Sequence, residues 1–178
     1  RLTARRRAGA AARSSEWPEG LGQLTPMGVR QMYELGERLR ARWMPHLLSP
    51  AYRVHEVRAL STGKERTLMS AQALLLGLYT PGTHAHDALP HGVQPVPVFS
   101  WPPEQDNMLR GGKQCKALRE LLQRFRQEAP EWRRRRRQHA ALLRKLSALY
   151  GADMELHHAS SVANLLHAER THARPSHA

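Results

Sequence analysis

The sequence predicts a predominantly helical chain of mixed helix and strand over its 178 residues. Three observations predict it. Apolar residues recur at three-four spacing in several segments, the signature of helices with one buried stripe. Val54 to Leu60, between two such segments, carries β-branched Val54 and Val57 with little helical period, and reads as a short strand. Residues 93–98, VQPVPV, alternate valine with proline, so they are extended but unsuited to a central strand.

The elements follow in order. Residues 1–15 hold five arginines and no acid, which predicts a basic disordered tail; the composition also resembles an organelle transit peptide. Thr25-Pro26 starts a helix, a capping hydroxyl ahead of a first-turn proline. Val29, Met32, Tyr33, Gly36, Leu39 and Trp43 form its stripe, and Pro45 stops it. Glu65 to Tyr79 is a second helix, apolar on most faces and therefore buried, closed by Thr80-Pro81-Gly82. A His-containing loop fills 82–92, and a Pro- and Gly-rich loop fills 101–114. Lys116 to Glu128 is amphipathic, with Leu118, Leu121, Leu122 and Phe125 on one face and Pro130 as its stop. One longer helix is expected from Glu131 to Tyr150, ended by Gly151, and a short one from Ser161 to Ala168 before a loose tail.

Charge is the unusual feature of the composition. Against 15 acids stand 28 bases, a formal net charge of +13. Such a balance invites a nucleic-acid reading, since clustered arginine displaces counterions from phosphate backbones. Aromatic residues at 6% are too few for a base-stacking platform, which counts against nucleic acid. No apolar run approaches the length of a transmembrane span, and no charged-then-apolar secretory leader stands at the start. One cysteine, Cys115, rules out an intrachain disulfide framework and a cysteine-based zinc site.

Four segments carry a family resemblance. WPEGLGQLTPMGVRQMYELGERLRARW (Trp17 to Trp43) resembles the WPxGxGQLTxxG stretch of the histidine acid phosphatases, the lysosomal and prostatic type. EVRALSTGKERTLMSAQALLLGL (Glu56 to Leu78) is similar to that family's EVYVRSTDxDRTLMSA segment. QPVPV (Gln94 to Val98) and WPPEQDNML (Trp101 to Leu109) follow in family order, and Cys115 falls near the family's GPCPxY cysteine. KLSALYG and VANLL give a fainter echo further on. The resemblance implies an α/β fold, a sheet flanked by helices, of which this chain would hold a partial, mainly helical core. It implies hydrolysis of phosphate monoesters through a phosphohistidine, no cofactor, and a lysosomal or secreted setting. Histidine is a competent nucleophile, and arginine forks match phosphoryl oxygens.

The departures bear on activity. No Arg-His-Gly occurs in the sequence. Arg1 and Arg5 keep the spacing of the arginines in the family's RHGxR, but Leu2 stands at the nucleophile's place. Leu60 replaces the phosphate-binding arginine of RSTD, and Gly63 replaces its aspartate. Arg58, two residues earlier on the expected strand, shares a face with position 60, but its tip is displaced by about two residues' rise, which counts against it as a substitute. The late HD motif is missing; Ala85-His86-Asp87 stands too early in the chain and reads as coincidence. Gly22, Gln23, Thr25, Ser61, Thr62, Arg66 and Thr67 survive from the motifs and read as scaffold, leaving no catalytic residue assigned.

Other candidates have plain readings. His84, His86 and His91 share one loop at spacings that favour solvated side chains over a metal site. By the resemblance, Cys115 is half of a family disulfide whose partner is lost. Arg133 to Arg137 reads as a charged helix face, a nucleic-acid patch, or a disordered join. The chain divides into a basic tail (1–15), a phosphatase-like region (16–131) and a divergent basic helical segment (132–178). The middle region holds 14 bases against 12 acids, so the excess charge lies at the ends. Three functions remain open: a phosphatase relative inactive on its own, a partial product of an active acid phosphatase, and a basic module binding RNA or acidic surfaces. A phosphate monoester is the substrate the resemblance implies; nothing in the sequence indicates oligomeric state.

Overall fold

A computed structural model describes residues 17–44, 46–80 and 89–172. The basic tail, the Pro45 stop, the His84, His86 and Asp87 loop and the end of the C-terminal tail lie outside the described residues. The chain forms two compact units, one up to Gln114 and one from Cys115 onward.

The first unit is built on two helices, α1 (Pro26–Trp43) and α2 (Glu65–Tyr79), which pack along each other. Thr25 caps α1 as expected: it holds extended backbone and its hydroxyl accepts from the Gly28 N–H at 3.2 Å. The bounds expected for α2 are those observed. Leu75, Leu78 and Tyr79 at its C-terminal end are buried, and Leu39, Leu48, Tyr52, Val57 and Val98 pack around them. Tyr79 and Tyr52 meet edge to face with ring centres 5.9 Å apart.

Beside this pair lies a two-stranded parallel sheet, β1 (Ala59–Thr62) and β2 (Val98–Trp101), with Leu60 opposite Phe99 and Thr62 opposite Trp101. The strand expected over Val54 to Leu60 therefore starts later. Residues 53–57 form a turn, in which the Glu56 and Val57 N–H groups both donate to the Arg53 carbonyl. The Glu56 carboxylate fixes it from the side, accepting from the Ser49 N–H at 2.8 Å and the Ser49 hydroxyl at 2.7 Å. Val54 is left 75% exposed, which no core strand would allow. Residues 93–97 stay outside the ladder, and β2 continues into Trp101, which composition assigned to a loop. A single turn, α3 (Gly111–Gln114), also interrupts that expected loop.

The second unit contains α4 (Lys116–Glu128), α5 (Pro130–Gln138), α6 (Ala140–Tyr150) and α7 (Ala159–Thr171). The single helix expected over 131–150 is broken at His139, whose φ of −102° and ψ of 13° leave the helical range. Gly151, at φ 61°, closes α6 in the left-handed conformation that glycine adopts without a Cβ penalty. The last helix extends beyond the expected Ser161–Ala168 at both ends.

Candidate functional site

The carboxyl ends of parallel strands are where α/β folds place ligands, because the chain leaves a crevice there as it turns into the next helix. In this chain β1 ends at Thr62 and runs through Gly63 and Lys64 into α2. Two networks of bonds shape that loop. The Thr67 hydroxyl lies 2.9 Å from the Thr62 carbonyl, 2.8 Å from the Lys64 carbonyl and 2.7 Å from the Thr62 hydroxyl. Its one proton serves the carbonyls, and the Thr62 hydroxyl donates to its oxygen. Buried Ser61 turns its hydroxyl onto the Thr62 carbonyl at 3.0 Å.

The second network ties this loop to the segment ahead of α1. An Arg66 guanidinium N–H donates to the Gly22 carbonyl at 3.0 Å, and the Gln23 amide donates to the Glu65 carboxylate. Gly22, at φ 77°, sits where an L side chain would be strained. All seven motif residues are thus placed. Gly22, Gln23, Ser61, Thr62, Arg66 and Thr67 surround one loop, while Thr25 caps the neighbouring helix.

A cavity of about 330 Å³ opens beside this loop, lined by Thr62, Lys64, Arg66, Thr67, Leu109, Arg110 and Gly112. Three of these are cationic and none is acidic. The N-terminus of α2, which carries no side-chain cap, adds the positive end of a helix dipole to the same rim. Glu65 lines a second cavity with Gly22, Gln23 and Gly63, and Lys64 and Arg66 border that one as well. Arg110 reaches the site on a turn set by Asp106. That carboxylate is 1% exposed and accepts from the Leu109 N–H at 2.8 Å, while the Asp106 carbonyl accepts from the Arg110 N–H at 3.2 Å. The Arg110 guanidinium makes no hydrogen bond or ion pair among the described residues. Such a group, half-buried beside two further cations, suits an anion with several oxygens.

Sequence reasoning passed over Lys64, Asp106 and Arg110. Lys64 stands at a variable position of the family motif, and Arg110 follows the motif's end, so no pattern marks them. The available signal was charge: Lys64 and Arg110 are basic residues flanking otherwise apolar or small segments. Arg58, already displaced in sequence from the missing motif arginine's position, does not line the cavity. Its guanidinium stacks over the Phe99 ring, 5.4 Å from the centroid. Leu60 occupies the motif arginine's own position and offers nothing to an anion.

Cys115 is an exposed free thiol at the start of α4, its sulfur 3.4 Å from the Leu118 N–H. His91 lies in a short 3₁₀ turn with φ 61°. Among the described residues no three His, Cys, Asp or Glu side chains are grouped to hold a metal ion, and no helix is long and apolar enough to cross a membrane.

Comparison with known proteins shows the family. Residues 5–177 match the histidine phosphatase superfamily (branch 2). Lysosomal acid phosphatase of Xenopus laevis is 36% identical over 162 residues, covering 90% of this chain and 37% of the relative. Testicular acid phosphatase of Homo sapiens is 38% identical over 170 residues, 91% of this chain and 38% of its own length. Prostatic acid phosphatase of Bos taurus is 39% identical over 99 residues, 54% of this chain and 25% of its own. The chain therefore spans little more than a third of the lysosomal and testicular relatives and a quarter of the prostatic one. With its motifs, its parallel strand pair and a family match over nearly its whole length, the chain belongs to the histidine phosphatase superfamily, branch 2, among the histidine acid phosphatases.

Proposed function

We propose that this chain binds a phosphate monoester and, on its own, does not hydrolyse it. The observation that carries the reading is the cavity beside β1: Lys64, Arg66 and Arg110 converge there with no histidine among its lining residues. Arginine forks and an ammonium hold a dianionic phosphoryl group by charge-assisted hydrogen bonds, which needs no reacting group. Hydrolysis needs more. A nucleophile must lie within bonding reach of phosphorus, and an acid must protonate the departing oxygen. Leucine stands at the place of the motif arginine, and the sequence holds no Arg-His-Gly. Gly22, Gln23, Ser61, Thr62, Arg66 and Thr67 serve in this reading as the brace that keeps the loop in shape.

The experiment is p-nitrophenyl phosphate turnover by the 178-residue chain at pH about 5, where a carboxylic acid donor would be competent. The expected result is no release above that of buffer alone. Release that scales with protein concentration overturns the reading.

A second reading draws on the small share of its relatives' length that the chain spans. In it, this stretch contributes the loop and cavity of an active acid phosphatase whose remaining groups come from sequence outside it. In-frame codons for an RHGxRxP segment next to Arg1 would favour that reading.

A further inference from the structure

We propose that the second unit docks on anionic lipid surfaces through α4 and the arginines of α5. Among the described residues the apolar side of α4 is exposed, with Phe125 set against Trp132 of α5. Every residue of α4 is exposed, including Leu118 at 38%, Leu121 at 56%, Leu122 at 41% and Phe125 at 46%. A 13-residue helix is marginal in water by itself, and burial of its apolar face is the usual source of its stability. These four side chains fall within one narrow stripe at 100° per residue.

The charges around the stripe identify the partner. Arg119 and Arg126 lie along one margin, Arg124 and Glu128 along the other, while Lys116, Glu120, Gln123 and Gln127 point away. Arginines at both margins can lay their stems along an apolar surface and keep their heads at its polar boundary. Beyond Ala129 the chain enters α5, where Trp132 meets Phe125 edge to face at 5.9 Å and extends the apolar surface. Arg133 to Arg137 follow at once. Arg135 pairs with Glu131 and Arg136 with Glu155. Arg124, Arg126, Arg134 and Arg137 make no ion pair among the described residues. Residues 116–138 hold nine bases and three acids.

An interfacial helix has this composition: leucine and aromatic side chains on one face, and basic residues at the edges and beyond. RNA would engage the arginines but has no use for a leucine stripe, since bases stack on aromatic rings. A headgroup boundary uses both features together. This inference concerns a different unit from the phosphate cavity and stands whether or not that cavity binds a monoester.

The test is co-sedimentation of the full chain with phosphatidylserine–phosphatidylcholine vesicles and with phosphatidylcholine vesicles. Binding to the first and little to the second is expected, falling as salt rises. Replacing Arg133 to Arg137 by glutamine should lower partitioning more than 100-fold, at about fivefold per charge. Leu121→Ser with Phe125→Ser should lower it roughly tenfold or more through lost apolar burial, with binding of a single-stranded RNA oligonucleotide unchanged. These two positions are surface residues, and circular dichroism of the variant should match the parent. Three results would overturn the proposal: no binding to the anionic vesicles, full binding by the serine variant, or loss of vesicle binding only when the arginines are changed. The last would mark a plain polycation surface, for which RNA is the better partner.

Discussion

Gly36 of α1 and Gly77 of α2 are the points at which the two helices touch backbone to backbone. A Cβ on Gly36 would lie 2.1 Å from the Leu74 carbonyl oxygen, and one on Gly77 would lie 2.0 Å from the Tyr33 carbonyl oxygen. Neither clash can be relieved by a side-chain rotation, because both opposing atoms are main chain. Gly36→Ala or Gly77→Ala must therefore separate the helices that position the loop after β1. Overpacking costs about 3 kcal/mol here, offset by about 1 kcal/mol from removing a helical glycine, for a net loss of about 2 kcal/mol. Thermal unfolding should show Tm falling by about 10 °C for either variant. An unchanged Tm would mean that the helices are further apart than described.

The turn before β1 predicts a pH dependence. Hydrogen bonds from the Ser49 hydroxyl and N–H, aided by nearby Arg53 and His55, hold the Glu56 carboxyl below its ordinary value of 4.5. A group with a lowered folded pKa contributes stability that is present above the unfolded value and lost as pH falls through the folded one. Tm should thus decline as acid is added below pH 4.5, and Glu56→Gln should reduce that slope. The two proteins should differ at neutral pH and converge once Glu56 is protonated. Parallel Tm curves for both proteins would show that the Ser49–Glu56 contact is absent in solution.

Much of the first unit is legible in sequence, for identifiable reasons. Thr25-Pro26 states a helix start by two independent signals, and the small and apolar run from Glu65 to Tyr79 is bounded on both sides. The strand was misplaced because Val54 and Val57 have β-propensity, while the turn they occupy is made by a side chain: Glu56 reaching back to Ser49. Propensity does not register such contacts. The break at His139 has no proline or glycine to announce it. At the site, the motif residues were legible because they are a pattern. Lys64 and Arg110 were not, since their role comes from meeting across 46 positions of chain. In sequence Gly36 reads as one member of an apolar stripe, although a glycine on such a stripe already hints at close helix approach.

Asp106 should be the residue that holds Arg110 in place. It is almost wholly buried and receives the Leu109 N–H, so removing it leaves that donor unpaired. Asp106→Ala should cost about 1–3 kcal/mol in urea unfolding and weaken phosphate binding by loosening the turn. Asp106→Asn retains an acceptor of the same shape and should retain most of both properties. Equal losses for the two variants would assign Asp106 a role beyond that hydrogen bond.

Arg110 itself should matter to binding and little to folding, since it makes no ion pair among the described residues. Isothermal titration with inorganic phosphate should show affinity falling at least roughly tenfold for Arg110→Ala, the loss of one charge-assisted contact. Unfolding midpoints should agree within about 0.5 kcal/mol. Affinity for a phosphate monoester should also fall as pH drops through about 6, where its phosphoryl dianion takes up a proton. Unchanged affinity in Arg110→Ala would remove this residue from the binding site.

The most direct test of binding without turnover is a single phosphorus-31 NMR titration of a phosphate monoester with the full chain. The monoester resonance should broaden and shift as protein is added, and Arg110→Ala should need at least roughly tenfold more protein for the same effect, with no inorganic phosphate peak appearing over hours. Growth of an inorganic phosphate peak in proportion to protein would contradict the account, as would a monoester resonance that never responds.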